Sequence, residues 1–331
     1  MTVRVPAKVN LQLSVGPPRG DGYHDLVTVF HAVSLFDEVT VRPADRTSVV
    51  VTGEDAGSVP AGRANLAARA ARALATASMR RQGRSAVRIA IRKRIPVAAG
   101  LAGGSADAAA TLVACNELWG AGLTQSELSE VAASVGSDVP FALLGGTAIG
   151  QGRGEQLTAA LAAGTYHWVL AFASGGLSTP EVYAACDRLR AARAAADRRE
   201  PAGGAGRAGP AAEGGPAAAA EEAHQPRLST ELMAALRSGD PAAVGPLLSN
   251  DLQPAAVSLR PDLRRALNAG REHGALGGIV SGSGPTCAFL AADARRAREL
   301  AVSLTGAGVC RAVAQVKGPA AGAAVVAGDR R

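Results

Sequence analysis

One segment of the chain carries residue types suited to holding phosphate: Pro96-Val97-Ala98-Ala99-Gly100-Leu101-Ala102-Gly103-Gly104-Ser105-Ala106-Asp107. Glycines let a backbone approach a phosphate closely, and amides at a helix N-terminus attract its charge. Ser105 offers a hydroxyl as a donor or a metal contact. No Lys follows the glycines and their spacing differs, so this is neither a P-loop nor a G-x-G-x-x-G fingerprint. On these residues alone, a flexible turn before a helix is an equally good reading.

Two further residues bear on group transfer. Lys8 stands in Pro6-Ala7-Lys8-Val9-Asn10-Leu11, and Asp138 in Gly136-Ser137-Asp138-Val139-Pro140-Phe141. Phosphoryl transfer needs positioning, charge neutralisation and a route for the acceptor's proton. A carboxylate in a turn limited by Pro140 can take that proton. A lysine beside it would keep it ionised and orient the hydroxyl. Spacing does not bring the two together, and a surface Lys with a turn-capping Asp is the plainer alternative.

The elements that must position these residues follow from periodicity. Residues 2–5 and 9–15 alternate as strands, with Val9, Leu11, Leu13 and Val15 on one face. A turn-rich stretch, 16–22, separates them from strands at 26–33 and 38–41, and another strand covers 48–52. Asn65–Met79 reads as a helix, and Val87–Ile91 alternates again. Ser105 fits the N-cap of a helix reaching Trp119, with Asp107 in its first turn. A shorter helix fits 125–134, strands fit 147–151 and 168–173, and a helix fits 263–272. Strands and helices mix without regular βαβ repetition, which predicts an α+β fold.

Composition narrows the setting. A chain of 331 residues suggests two domains. The net charge of +7 suits an anionic ligand, but the basic residues are scattered rather than striped, which argues against nucleic acid. The four cysteines (Cys115, Cys186, Cys287 and Cys310) form no C-x-x-C pair and read as buried apolar groups in a reducing compartment. No signal peptide and no membrane span are visible, so the expected location is the cytoplasm. Residues 190–227 are rich in Gly, Pro and Ala and predict a disordered insertion.

The motif Pro-x-x-x-Gly-Leu-x-Gly-Gly-Ser-x-Asp-Ala-Ala at 96–109 resembles the phosphate loop of the GHMP kinases. Segments 6–11 with Asp21-Gly22-Tyr23-His24, then 136–141, then Ser281-Gly282-Ser283-Gly284-Pro285, resemble further motifs of that family in the same order. The likeness covers nearly the whole chain except about 190–227. The first two segments are most similar to the branch acting on a cytidine-diphosphate methylerythritol. The resemblance implies a GHMP kinase fold, with a ribosomal-protein-S5-like N-terminal domain (1–157), a ferredoxin-like C-terminal domain (158–331) and a cleft between them. It implies ATP as co-substrate with Mg2+, and transfer to the 2-hydroxyl of that substrate in the non-mevalonate route to isoprenoid precursors.

By the same resemblance Lys8 and Asp138 are catalytic. Asn65, Leu66 and Lys93, with the loop from Pro96 through Val97, Ala98, Ala99, Gly100, Leu101, Ala102, Gly103, Gly104 and Ser105 to Ala106, hold ATP. Asn10, Tyr23, His24, Thr179 and Tyr183 hold the substrate, with Tyr23 and Tyr183 stacking on the cytosine and His24 hydrogen-bonding to it. The metal ligands are left open, with Ser105 and Asp138 as contacts. The partner is a small molecule, and the chain is a monomer or homodimer. Homoserine or mevalonate kinase is the second reading, but neither substrate has a cytosine for Tyr23 and His24 to grip. A non-catalytic nucleotide- or RNA-binding protein is the third, and it would need neither Lys8 nor Asp138. Two departures stand out: Ala98, Ala99 and Ala102 replace glycines of some relatives, and the insertion follows closely on Tyr183.

Overall fold

Strand-forming residues come first in the chain and pair with each other at once. In the computed structural model, which describes residues 1–60, 62–78, 85–197 and 225–326, β1 (Thr2–Pro18) and β2 (His24–Pro43) form one long antiparallel hairpin. The expected shorter strands are fused, because register shifts between Pro6 and Ala7 and between Asn10 and Gln12 let the pairing continue. Pro6 lacks an amide hydrogen and is tolerated in this inner strand at such an irregularity.

β3 (Ser48–Gly53) runs parallel to β4 (Val87–Lys93), which pairs with β2. In β4 the predicted alternation holds: Val87, Ile89 and Ile91 are buried, while Arg88 and Arg92 are exposed. β5 (Thr147–Gln151), β6 (Gln156–Ala159) and the short strands β8 (Ser249–Asn250) and β12 (Ala324–Val325) complete an eight-stranded sheet. The second, antiparallel sheet has the order β11 (Ala312–Gly318), β7 (Tyr166–Phe172), β10 (Cys287–Ala291), β9 (Gly277–Val280).

Helices α1 (Leu66–Ala77), α2 (Gly103–Trp119), α3 (Gln125–Val135) and α4 (Val139–Leu144) gather on the first sheet, with α2 against β1 and β2. Local signals set their ends. Asn65 caps α1, and Thr124 with Glu127 forms a reciprocal capping box on α3. Beyond them come α5 (Thr179–Asp197), α6 (Thr230–Ser238), α7 (Pro241–Val244), α8 (Gln253–Leu259), α9 (Asp262–Glu272) and α10 (Ala294–Gly306). Of the stretch expected to be disordered, 190–197 belongs to α5 and 198–224 lies outside the described residues. Residues 225–227 return beside β1, where the Gln12 side chain donates to the Arg227 carbonyl at 2.6 Å.

The expected apolar stripe of β1 is present but serves two cores. Val9 and Leu11 join the larger one with α1 and α2, and Leu13 and Val15 join the smaller one with α5, α9 and α10. The opposite stripe, Lys8, Asn10 and Gln12, is polar and nevertheless buried. Among the described residues no helix is long and apolar enough to cross a membrane, and all four cysteines are free.

His31 on β2 sits where the two sheets meet, edge-on to Tyr166 and beside Trp168 of β7, with Nδ1 2.8 Å from the Thr147 hydroxyl. Burial pushes its pKa down from 6.5 to about 3. The unfolded chain therefore takes up a proton below about pH 6.5 that the folded chain refuses. This contribution to stability is present at neutral pH and is lost as pH falls from about 6.5 toward 3, at up to about 1.4 kcal/mol per pH unit. Urea unfolding across that window is expected to show a steeper loss for the wild-type chain than for His31→Gln. Equal slopes would contradict it.

Candidate active site

The glycine-rich loop joins β4 to α2. The helix begins at Gly103, two residues before the predicted cap, so Ser105 lies within its first turn. The capping position falls to Ala102, whose side chain cannot accept a hydrogen bond. The first-turn amides thus lack a capping side chain, and they and the helix dipole form a cradle for an anion. Ala98 and Ala102 adopt left-handed backbone, at φ 51° and 57°. These are two of the three alanines standing where some relatives have glycine; Ala99 does not share the conformation. Gly100 (φ 74°) has no room for a side chain, because a Cβ there would overlap the carbonyl oxygen of Ser281.

Contacts from both halves of the chain hold the loop. The Lys8 amide donates to the Leu101 carbonyl at 3.3 Å. The Ser281 hydroxyl donates to the Gly100 carbonyl at 3.1 Å, and the Thr286 amide to that of Ala99 at 3.4 Å. Asn250 steadies the Ser281 turn by donating to the carbonyls of Val280 and Gly282, each at 2.7 Å.

Beneath the loop lies a buried charge cluster. Lys93 Nζ donates to Asp37 Oδ2 and, at 2.8 Å, to Asp107 Oδ2. The other oxygen of Asp37 accepts the Arg94 amide at 2.6 Å and the Ile95 amide at 2.9 Å. Burial alone would lower the Lys93 pKa, but the two carboxylates together raise it. Asp107 is pushed up by burial, against the pull of Lys93. Asp107 is therefore not a first-turn residue interacting with the helix dipole. Lys93 is buried and is not among the walls of the cleft that the loop lines; it ties β2, β4 and α2 together at one point.

The other expected ATP residues divide in the same way. Ala98, Ala99, Gly100, Ala102, Gly103, Gly104, Ser105 and Leu66 line a cleft of about 530 Å3. Pro96, Val97, Leu101 and Ala106 are not among its walls, and Leu101 and Ala106 pack in the core below. Asn65 is also absent from the walls. Its amide is committed, accepting from the Ala67 amide at 2.8 Å and donating to the Pro60 carbonyl at 2.9 Å.

The same cleft holds Lys8, Asn10, Thr28 and Asp138. Lys8 Nζ donates to Asn10 Oδ1 at 2.7 Å, the Asn10 amide donates to Thr28 Oγ1 at 2.8 Å, and that hydroxyl donates to the Gln12 carbonyl at 2.7 Å. Asp138 begins α4 without spending its carboxylate on a cap, and it lies 3.9 Å from Lys8 Nζ. Burial lowers the Lys8 pKa, and the charge of Asp138 opposes that shift.

A neighbouring cavity of about 750 Å3 collects Tyr23, His24, Thr179 and Tyr183. Tyr183 lies on His24 with ring centres 4.9 Å apart, and its phenol pKa is raised by burial and by Asp138. Tyr23 is 54% exposed, with the Arg153 guanidinium 5.2 Å from its ring centre. The Thr179 hydroxyl is 2.8 Å from that of Ser283. The two cavities share Leu26, Ser137, Arg153, Thr179, Pro180 and Tyr183, and Arg153 is the cation among them.

The GHMP kinases N terminal domain matches residues 65–146, and the GHMP kinases C terminal domain matches 232–310. A 4-diphosphocytidyl-2-C-methyl-D-erythritol kinase of Mycolicibacterium smegmatis is 56% identical, covering 98% of this chain and 92% of that protein. The chain belongs to this kinase family. A second member, from Mycolicibacterium gilvum, is 54% identical over 98% of this chain and 92% of its own length. The crystal structure of a 4-(cytidine 5'-diphospho)-2C-methyl-D-erythritol kinase superposes with a TM-score of 0.70 at 33% identity, covering 96% of this chain and 98% of that one. The fold is that of a GHMP kinase, and the chain is an enzyme.

Within that family frame, four residues of the site escape a reading of the sequence: Thr28, Arg153, Asp187 and Asn250. Arg153 carried a signal, since it stands between Gly152 and Gly154, which both have positive φ (67° and 103°) and present it on a sharp turn. Asp187 follows Tyr183 by four residues, which places both on one helix face.

Replacing Lys93 with Met leaves two carboxylates buried without their cation and is expected to cost about 3–5 kcal/mol in urea unfolding. Arg92→Ala, on the exposed face beside it, should change stability by less than about 0.5 kcal/mol. At Ala98 two effects oppose. Glycine would relieve about 1–2 kcal/mol of left-handed strain but would loosen the unfolded chain by about 0.4–1 kcal/mol. Ala98→Gly should therefore match or slightly exceed the wild-type stability, and a clear loss would contradict the backbone assignment.

Proposed function

We propose that the chain transfers the γ-phosphoryl group of ATP to the 2-hydroxyl of 4-diphosphocytidyl-2-C-methyl-D-erythritol, a step of the non-mevalonate route to isoprenoid precursors. The observation that carries this reading is the junction of two cavities. A phosphate cradle with Lys8 and Asp138 opens directly onto an aromatic-lined cavity containing Tyr23, His24 and Tyr183. A linear substrate with a pyrimidine at one end and an alcohol at the other fits that layout.

In this reading the ATP phosphates lie on the amides of Gly103, Gly104 and Ser105 at the start of α2. Asp138, with its carboxylate uncommitted, accepts the proton of the acceptor hydroxyl. Lys8, its head fixed by Asn10, keeps that carboxylate ionised and offers charge to the group in flight. Tyr183 and Tyr23 flank the base, and Arg153 at the neck neutralises the diphosphate between base and alcohol. The oxygen donors Asp138 and Ser105 suit Mg2+, which is commonly held by one or two protein oxygens plus substrate phosphates. When bound, the ion would neutralise the phosphates of ATP.

An assay coupled to ADP release should show turnover with the cytidine substrate and none with homoserine or mevalonate. Turnover on either of those alone would overturn the substrate assignment. Asp138→Asn and Lys8→Ala are each expected to lower kcat by about 100-fold or more. A folded Asp138→Asn enzyme with near-normal kcat would remove Asp138 as the base.

A further inference from the structure

His24 is buried in the wall of the aromatic cavity, and one of its ring nitrogens is already committed. Nε2 lies 3.1 Å from one oxygen of Asp187 and 3.2 Å from the other. An ionised carboxylate can only accept hydrogen bonds, so the hydrogen of a neutral ring must be on Nε2. The hydrogen bond made by one imidazole nitrogen fixes the state of the other. Nδ1 is then a lone-pair acceptor, and no hydrogen bond among the described residues engages it. Tyr183 packs on the same ring from one turn earlier in α5, which fixes the ring plane.

We propose that Asp187 is a positioning residue: it holds His24 as the Nε2–H tautomer, so that the cavity presents a hydrogen-bond acceptor to the edge of the pyrimidine and selects cytosine over uracil. This rests on the functional reading above. Cytosine carries an amino donor at its fourth ring position, which can donate to Nδ1. Uracil carries a carbonyl oxygen there, so two lone pairs would face each other. A site built around one buried polar group rejects an analogue that cannot pair with it far more strongly than an apolar site would. Both carboxylate oxygens of Asp187 are turned to His24, so in this proposal it acts through His24 on recognition and not on the chemical step.

Two measurements test this. Two-bond proton–nitrogen NMR on the ligand-free protein, with His24 identified by the signal missing from His24→Gln, should show Nε2 protonated and Nδ1 bare. A proton on Nδ1, alone or as the imidazolium, would overturn the proposal, whatever the substrate. Steady-state kinetics would then compare the cytidine substrate with its uridine-diphosphate counterpart. Asp187→Ala should raise KM for the cytidine substrate by about tenfold, leave kcat within about twofold and shrink the preference for cytidine over uridine. An unchanged preference in a wild-type-active background would overturn the tautomer role alone. No turnover of the cytidine substrate by the wild-type enzyme would instead overturn the functional reading and this proposal with it.

Discussion

A cradle that offers bare amides to a phosphate cannot spend those amides on holding itself together, so its shape has to be imposed from outside. The buried ammonium of Lys93 does most of this. Asp37 comes from β2, Lys93 from the end of β4 and Asp107 from α2, and they share one desolvated cluster. None of the three groups tolerates burial without the others. The cluster therefore fixes where the strand stops and where the helix starts, and the loop spans that gap. Asp37 extends the constraint by taking the amides of Arg94 and Ile95, the first residues of the loop's approach.

The second support comes from the other half of the chain. Ser281 and Thr286 reach across to the carbonyls of Gly100 and Ala99, leaving the amides of α2 free. Gly282 passes so close to Lys8 and Asn10 that a side chain there would press on both. The cleft is thus a seam between two sheets, and β1 runs along it. One stripe of that strand fills both cores, and the other carries Lys8 and Asn10, which with Thr28 of β2 form the buried hydrogen-bonded chain that orients the Lys8 head in the cleft.

What could be read from the sequence follows the range of the interactions. The alternation of β4 and the helix opening at about Asn65 were legible because their causes lie within a few residues. The motif order pointed to the family, and the meeting of Lys8 with Asp138 agrees with it. The role of Lys93 was not legible. Between two exposed arginines it looks solvated, and only partners on β2 and α2, distant in sequence, make it a buried strut. Asn65 shows the converse: a residue expected at the nucleotide has its amide oxygen and one amide hydrogen engaged by near neighbours. The fused hairpin was hidden because bulges at Pro6 and Asn10 break the periodicity without breaking the strand.

The bond between Ser281 and Gly100 also has a consequence for how the enzyme comes into being. A ribosome delivers the glycine loop long before it delivers Ser281, Thr286 or the strand β12 that pairs with β1. A growing chain can therefore build its first helices and most of the large sheet while two loop carbonyls still lack their native donors. The loop gains its native donors only after Ser281 and Thr286 have been made, when the second half of the chain meets the first.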